Sequence, residues 1–358
     1  MDNIKSIQKR GVTIKDIARI AGVSYSCVSH ALRDKKDISQ ETKDRIKKIA
    51  EELNYQPNHI ARGLVLGKSF NIGITVQLKE DPNNMEFLIG FLREVEKAGY
   101  SLVIYTTTEP SGCLTEKELK MISRRMVDGF IMNECNTQDK KLMELLKERK
   151  IPFISYNGFY TKNSVTLDRA EGIKKVINYL IKLGHRRFVY LCHPYKGFHI
   201  KNKASKIYGF KKGIEENGLT FSVDMVIEGW GTLEDGYDKT LQILRKSGDL
   251  PTAFIYHNDL SAMGGMAALA ENSIKIPEDV SVAGFDNIHI SRYTNPPLTT
   301  VGQPREEIVK EVVKRILEKI DNPEEEFPVK IFIPELIIRR STGPVKTKIY
   351  KGRKKRYV

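Results

Sequence analysis

The 358-residue sequence lacks the marks of an enzyme, a secreted protein or a membrane protein. Its four cysteines, Cys27, Cys113, Cys135 and Cys192, are scattered, with no CxxC pair and no metal-ligand spacing. That usage excludes a disulfide scaffold and fits reduced thiols. No run approaches the ~18 apolar residues of a membrane span, and the opening MDNIKSIQKRGVT holds no apolar stretch of signal-peptide length. The expected location is therefore the cytoplasm, neither secreted nor inserted. Catalytic signatures are missing too: there is no GxSxG, no HExxH, and the seven histidines are isolated. Neither an enzyme, a metal centre nor a cofactor is expected.

Acidic residues are scarce at the two ends. The chain carries a net charge of +14, of which residues 1–68 hold +6 and residues 344–358 hold +7. The 275 residues between them are close to neutral, at +1. Basic ends on a neutral body suit a head that binds a polyanion.

The head reads as three helices. Thr13 is placed to cap the first, in which Ile14, Ile17, Ala18 and Ala21 fall on one face, and Gly22 supplies the turn. Ser24 caps a second helix, Tyr25 to about Leu32, anchored by Val28. Ser39 caps a third through Leu53, with Ile46, Ile49, Ala50 and Leu53 facing inward. A small residue at the crossing, a tight turn and an apolar anchor are what a helix-turn-helix requires. VTIKDIARIAGVSYSCVSHAL and, after the third helix, LNYQPNHIARGL resemble the head of the lactose-repressor (LacI/GalR) family along its whole length. The resemblance implies that Tyr25, Ser26 and His30 read base edges in the major groove. It also implies that Thr13, Ser24, Ser29, Thr42, Tyr55 and Asn58 donate to phosphates. It further implies that a hinge helix follows, with Ala61 and Leu64 as its minor-groove contacts and Leu64 as the wedge. Two residues depart from the family's usual choice: Cys27 replaces Thr, and His30 replaces an Arg that would grip guanine with two hydrogen bonds. Gly63–Ser69 (GLVLGKS) mimics a phosphate-binding loop, but it has three residues between its glycines rather than four and precedes a strand rather than a helix.

From residue 69 to 343 short apolar runs (72–76, 102–106, 129–132, 153–156, 188–192, 253–257, 281–285) alternate with helical periodicity. That alternation predicts parallel sheets flanked by helices. The predicted fold is thus multidomain α+β: an all-α head with a hinge helix, then a core similar to periplasmic binding proteins, with two α/β parallel-sheet subdomains. The expected boundaries are 1–56 for the head, 57–68 for the hinge and 69–343 for the core. Within the core, 69–166 plus 298–326 are assigned to one subdomain, and 167–297 plus 327–343 to the other. Ligands of open parallel sheets sit beyond the strands' carboxyl ends, where Gln77, Tyr156-Asn157, Asn258-Asp259 and Asp286 fall. The resemblance adds Lys206, standing where the family carries an effector-binding Arg, and Trp230, near a stacking position. It also adds Asn84, standing where purine-binding relatives carry an aromatic. For Asn258 and Asp286 the alternative is turn and cap chemistry, and for Trp230 a core or surface aromatic. The expected partners are a double-stranded DNA operator, a small-molecule effector, such as a sugar or related metabolite, and a second copy in a homodimer, with no membrane. A ligand-binding module with a vestigial head, and a regulator signalled by a partner protein, are the rival readings. The tail KTKIYKGRKKRYV has no family counterpart and no leucine heptads; it is read as disordered, either drawn to phosphates or simply solvated.

Overall fold

The computed structural model describes residues 12–55 apart from 33 and 36, residue 63, and residues 67–77, 81–107, 114–124, 126–133, 140–158, 162–193, 203–246 and 249–345. The chain divides between Phe70 and Asn71 into two compact units.

The first unit holds α1 (Ile14–Ala21), α2 (Tyr25–Leu32) and α3 (Gln40–Glu52). Each start is chemically specified. The backbone N–H and hydroxyl of Thr13 both donate to the Asp16 carboxylate, at 3.0 and 2.6 Å. Ser24 Oγ accepts from the Cys27 N–H at 3.1 Å, and Ser39 Oγ from the Thr42 N–H at 3.4 Å. Gly22, at φ +64°, closes α1 in the left-handed region. Ile17, Ala18, Ala21, Val28, Ala31, Ile46, Ala50 and Leu53 form the core of the unit. Burying each large apolar side chain stabilises such a small body by about 1.5–3 kcal/mol.

In the second unit, β1 (Asn71–Gln77), β2 (Ser101–Thr107), β3 (Gly129–Asn133), β4 (Phe153–Tyr156), β5 (Ser164–Leu167) and β11 (Lys330–Phe332) build a parallel sheet in the order β11-β5-β4-β3-β1-β2. The helices α4 (Pro82–Lys97), α5 (Glu116–Ile122), α6 (Lys140–Glu148) and α11 (Arg305–Asp321) accompany it. A second parallel sheet, β7-β6-β8-β9, combines β6 (Phe188–Cys192), β7 (Val226–Glu228), β8 (Ala253–Tyr256) and β9 (Ser281–Ala283). With it go α7 (Arg169–Lys182), α8 (Lys206–Glu216), α9 (Leu233–Arg245) and α10 (Asp259–Glu271). A separate antiparallel pair joins β10 (Thr300–Gly302), which follows the second sheet in sequence, to β12 (Glu335–Ile337), which follows β11. The chain passes from sheet to sheet three times: after β5, after β10 and after β11.

One expected boundary is corrected by this topology. Residues 327–343 read as a single closing run in the second subdomain. Pro334 splits that run, because it cannot donate to a ladder. As a result Lys330–Phe332 pairs with Val165–Leu167 at the edge of the first sheet, and only the segment after Pro334 turns back.

The closing segment is pinned by His185. Its Nδ1 lies 3.0 Å from Thr252 Oγ1, and its Nε2 lies 3.0 Å from the Gly343 carbonyl and 3.0 Å from Ser281 Oγ. Burial pushes this imidazole below its ordinary range, the Gly343 hydrogen bond opposes the shift, and Arg186 adds to it. A folded-state pKa depressed below the unfolded value of ~6.5 means protons bind the unfolded chain more readily. The stabilisation is complete above that value and is lost as pH falls below it. Melting temperature is expected to drop between about pH 7 and about pH 5, and His185→Gln should flatten that slope. A variant whose slope matches the parent would remove His185 as the titrating group.

Candidate nucleic-acid interface and effector cleft

On α2 the buried residues are Val28 and Ala31, and the opposite face carries Tyr25, Ser26, Ser29 and His30. Tyr25 and Ser26 are exposed, while Ser29 and His30 are half-buried. The first turn therefore leads the exposed face of α2. The His30 ring is not free: its Nδ1 lies 2.6 Å from Asp37 Oδ2 in the loop before α3. That hydrogen bond holds the Asp37 carboxyl below the usual carboxylate range. Of the residues expected at phosphates, Thr13 and Ser24 are exposed at helix starts, and Thr42 and Tyr55 are half-buried. The Thr42 hydroxyl accepts from Ser39 Oγ at 2.9 Å. Asn58, Ala61 and Leu64, like the basic tail from 346, lie outside the described residues.

Within the second unit the strands' carboxyl ends bring several expected residues together. Gln77 ends β1, and Asn84 sits half-buried in the first turn of α4. Asn157, at φ +64° just after β4, accepts from Arg169 Nη2 at 2.6 Å. Lys206 opens α8; its Nζ donates to the His257 carbonyl at 2.6 Å and stands 3.8 Å over the Phe285 ring. Burial draws the Lys206 ammonium down to about 8, and the Asp286 carboxylate opposes that shift. Asp286, itself in the left-handed region at φ +112°, accepts from Gln303 Nε2 at 2.7 Å. Burial raises its carboxyl to about 6, against the pull of Lys206. Trp230 is 63% exposed and meets His193 edge-on, with ring centroids 6.1 Å apart.

Asn258 takes its structural alternative. Its Oδ1 accepts from the Ser261 N–H at 2.9 Å and hydroxyl at 2.7 Å, and its Nδ2 donates to the Gly231 carbonyl at 2.9 Å. The amide is consumed in capping α10. Asp259, beside it, is fully buried; it accepts from the Ile288 N–H at 2.9 Å and from the Thr300 hydroxyl. Burial pushes its carboxyl up to about 8, and Asp286 adds to the rise.

Sequence reading missed the group that ties the two subdomains together. Arg305, the first residue of α11, donates to Asn83 Oδ1 at 3.1 and 3.2 Å. It also donates to the Asn287 carbonyl at 3.3 Å and to the Asp286 carbonyl. Glu86 Oε2 pairs with Arg305 at 3.3 Å, and Glu86 Oε1 accepts from the His289 N–H at 2.8 Å. The sequence signal was weak, because Gln303-Pro304-Arg305 follows Leu298–Gly302, where two threonines break the apolar residues. Among the described residues, no three His, Cys, Asp or Glu side chains are grouped to hold a metal, and no helix is long and apolar enough to cross a membrane.

Comparison with known proteins bears on both sites. Residues 13–58 match the model for bacterial regulatory proteins of the lacI family, and residues 177–342 match the periplasmic binding protein-like domain. The HTH-type transcriptional repressor PurR of Haemophilus influenzae (strain PittEE) is 32% identical over 341 residues, covering 93% of this chain and 99% of the relative. The chain belongs to the LacI family. As a LacI-family protein it is a DNA-binding transcription regulator with an effector domain, and its relatives are repressors rather than enzymes. Two solved LacI-family folds superpose on it. The lac repressor dimer bound to operator and the anti-inducer ONPF is 23% identical, with a TM-score of 0.79, covering 93% of this chain and 99% of that one. A LacI-family regulator from Enterococcus faecium with bound ribose is 26% identical, with a TM-score of 0.67, covering 77% and 100%.

Proposed function

We propose that this LacI-family chain is a cytoplasmic repressor that binds a two-fold symmetric operator as a homodimer and is controlled by a neutral polar metabolite, of the sugar type, in the inter-subdomain cleft. The observation that carries the reading is the convergence of Asp286, Lys206 and Arg305 where both sheets present their carboxyl ends. Lys206 stands against Asp286 and Arg305 pairs with Glu86, which favours a ligand that brings hydroxyls rather than net charge. Trp230 offers an open aromatic face of the kind sugar rings stack on. The ribose bound to the Enterococcus faecium relative and the operator under the lac repressor dimer are consistent with both halves of the proposal.

A second copy is supported by the outer face of α4. Met85, Ile89 and Leu92, one turn apart, are exposed together, and Ile104 of the edge strand β2 is exposed as well. Such a stripe beside an open sheet edge fits a self-complementary interface. At the DNA, Tyr25, Ser26 and His30 read bases, and Thr13, Ser24, Ser29, Thr42, Tyr55 and Asn58 position the backbone. Ala61 and Leu64 enter the minor groove. In the cleft, Gln77, Asn84, Asn157, Lys206, Trp230 and Asp286 face the effector, with Asn258 supporting from behind.

Selection of sites from random duplex DNA with purified full-length protein tests this, with Leu64→Ala run beside it. A palindrome with a deformable central step, recovered by the parent and lost by the variant, is the expected outcome. Recovery of nothing above salt-sensitive background, with and without added sugars, would leave a cleft-binding module and sink the operator.

A further inference from the structure

The turn that follows β9 is strained. Asp286 and Asn287 stand in succession at φ +112° and +53°, a left-handed pair that residues with side chains rarely adopt. Such a turn persists only where its surroundings hold it. The Asp286 N–H donates to the Val301 carbonyl at 2.9 Å, and the Asn287 N–H to Thr300 Oγ1 at 3.3 Å. The carbonyls of both residues accept from Arg305, that of Asn287 at 3.3 Å.

Arg305 belongs to the other subdomain. It opens α11, which packs against α4, and α4 fixes its guanidinium. Asn83 Oδ1 accepts from it at 3.1 and 3.2 Å, Glu86 Oε2 pairs with it at 3.3 Å, and the Phe87 ring centroid lies 5.7 Å from its Cζ. The same Glu86 carboxylate accepts from the His289 N–H at 2.8 Å, just past the turn. One ion pair of the first subdomain thus grips three backbone groups of the second. Gln303, two residues before Arg305, holds the Asp286 carboxylate itself at 2.7 Å.

We infer that Arg305, backed by Glu86, is a positioning residue for Asp286, holding the strained turn from the opposite subdomain so that the carboxylate faces the cleft. The aim of Asp286 is therefore tied to how the two subdomains are oriented. When they shift, the turn loses the donors on its carbonyls and relaxes. A ligand that grips Asp286 stabilises the orientation in which Arg305 reaches the turn, and by linkage that orientation binds the ligand more tightly.

The inference rests on the reading of Asp286 as an effector ligand, and its test keeps the two apart. Hydrogen exchange of the full-length protein is followed by mass spectrometry without ligand. Arg305→Ala and Glu86→Ala should each raise exchange over residues 286–291 by roughly tenfold. Peptides from α9 and α10 should keep the parent's protection, which shows that the fold survives. Arg305→Lys retains the charge without the fork and should fall between. Ribose is then titrated by calorimetry, and Arg305→Ala should weaken it roughly tenfold and Glu86→Ala roughly threefold. Ribose should also add protection over 286–291 in the parent but not in Arg305→Ala. Unchanged exchange in Arg305→Ala, or a loosened turn with the parent's ribose affinity, would overturn the inference. A parent that binds no ribose would defeat the sugar reading of the cleft, and the exchange comparison would still decide whether Arg305 holds the turn.

Discussion

Gly264→Ala is expected to destabilise the effector domain by about 3 kcal/mol, seen as a fall in the urea midpoint with an unchanged slope. The reason is the approach of α9 to α10. A Cβ at Gly264 would lie 1.8 Å from the Leu233 carbonyl oxygen, and one at Gly236 would lie 2.0 Å from the Ser261 carbonyl oxygen. Both obstacles are backbone atoms in the first turns of helices fixed by their caps, Thr232 for α9 and Asn258 for α10. Neither can swing aside as a side-chain tip would, so the helices must separate and the packing beneath them must open. Gly218 is the proper control: it sits at φ +73°, and a Cβ there would meet nothing within 4 Å, so its alanine variant feels conformational strain alone. That strain costs roughly 1 kcal/mol. If both variants lost the same small amount, the close helix crossing would be wrong.

Asp286→Ala is expected to abolish the effector response while operator binding without effector persists. A ligand found by screening sugars and purines for a melting shift would bind the variant roughly 100-fold more weakly, the scale of losing hydrogen bonds to a buried charge. Trp230, the only tryptophan and well exposed, gives the fluorescence signal for that titration. The change also deprives Lys206 of its counter-charge, and burial then acts on that ammonium unopposed by Asp286. A pH signature accompanies the loss. With its carboxyl raised to about 6, Asp286 is ionised above that value and protonated below it. Effector affinity in the parent should therefore weaken as pH falls through about 6, and Asp286→Asn should remove that inflection. Retention of the response within about threefold in Asp286→Ala would place the ligand's anchor elsewhere.

Much of this architecture is legible from residue order. The spacing of Ile14, Ile17, Ala18 and Ala21 with Gly22 and Ser24 specifies the head locally, because caps and turns act over a few residues. The central strands are legible because parallel strands buried on both faces appear as short apolar runs. Ser164–Leu167 escapes that test, being four residues with two hydroxyls. The closing run misleads because its hydrophobicity continues across Pro334 while its hydrogen bonding does not. In the cleft, strand ends locate Asn157, Asp259 and Asp286, yet they do not say which way a side chain turns. Asn258 is an amide at a strand end like Asn157, and only tertiary geometry reveals that the helix consumes it. Arg305 meets Asn83 across 222 residues, and His30 meets Asp37 across a loop. No periodicity carries such pairs.

The three passages of the chain between the sheets also set an order of assembly during synthesis. The head is one continuous stretch and is complete once residue 70 has left the ribosome. The first sheet is not: its edge strand β11 and the helix α11, which buries Ile308, Val309, Val312, Val313 and Ile316, are translated after the whole of the second sheet. Until then the nascent chain exposes an unfinished apolar surface, the situation in which chaperones engage. A DNA-binding head therefore emerges well before the domain that governs it can close, and a message truncated in its last quarter would yield a head without a working regulator.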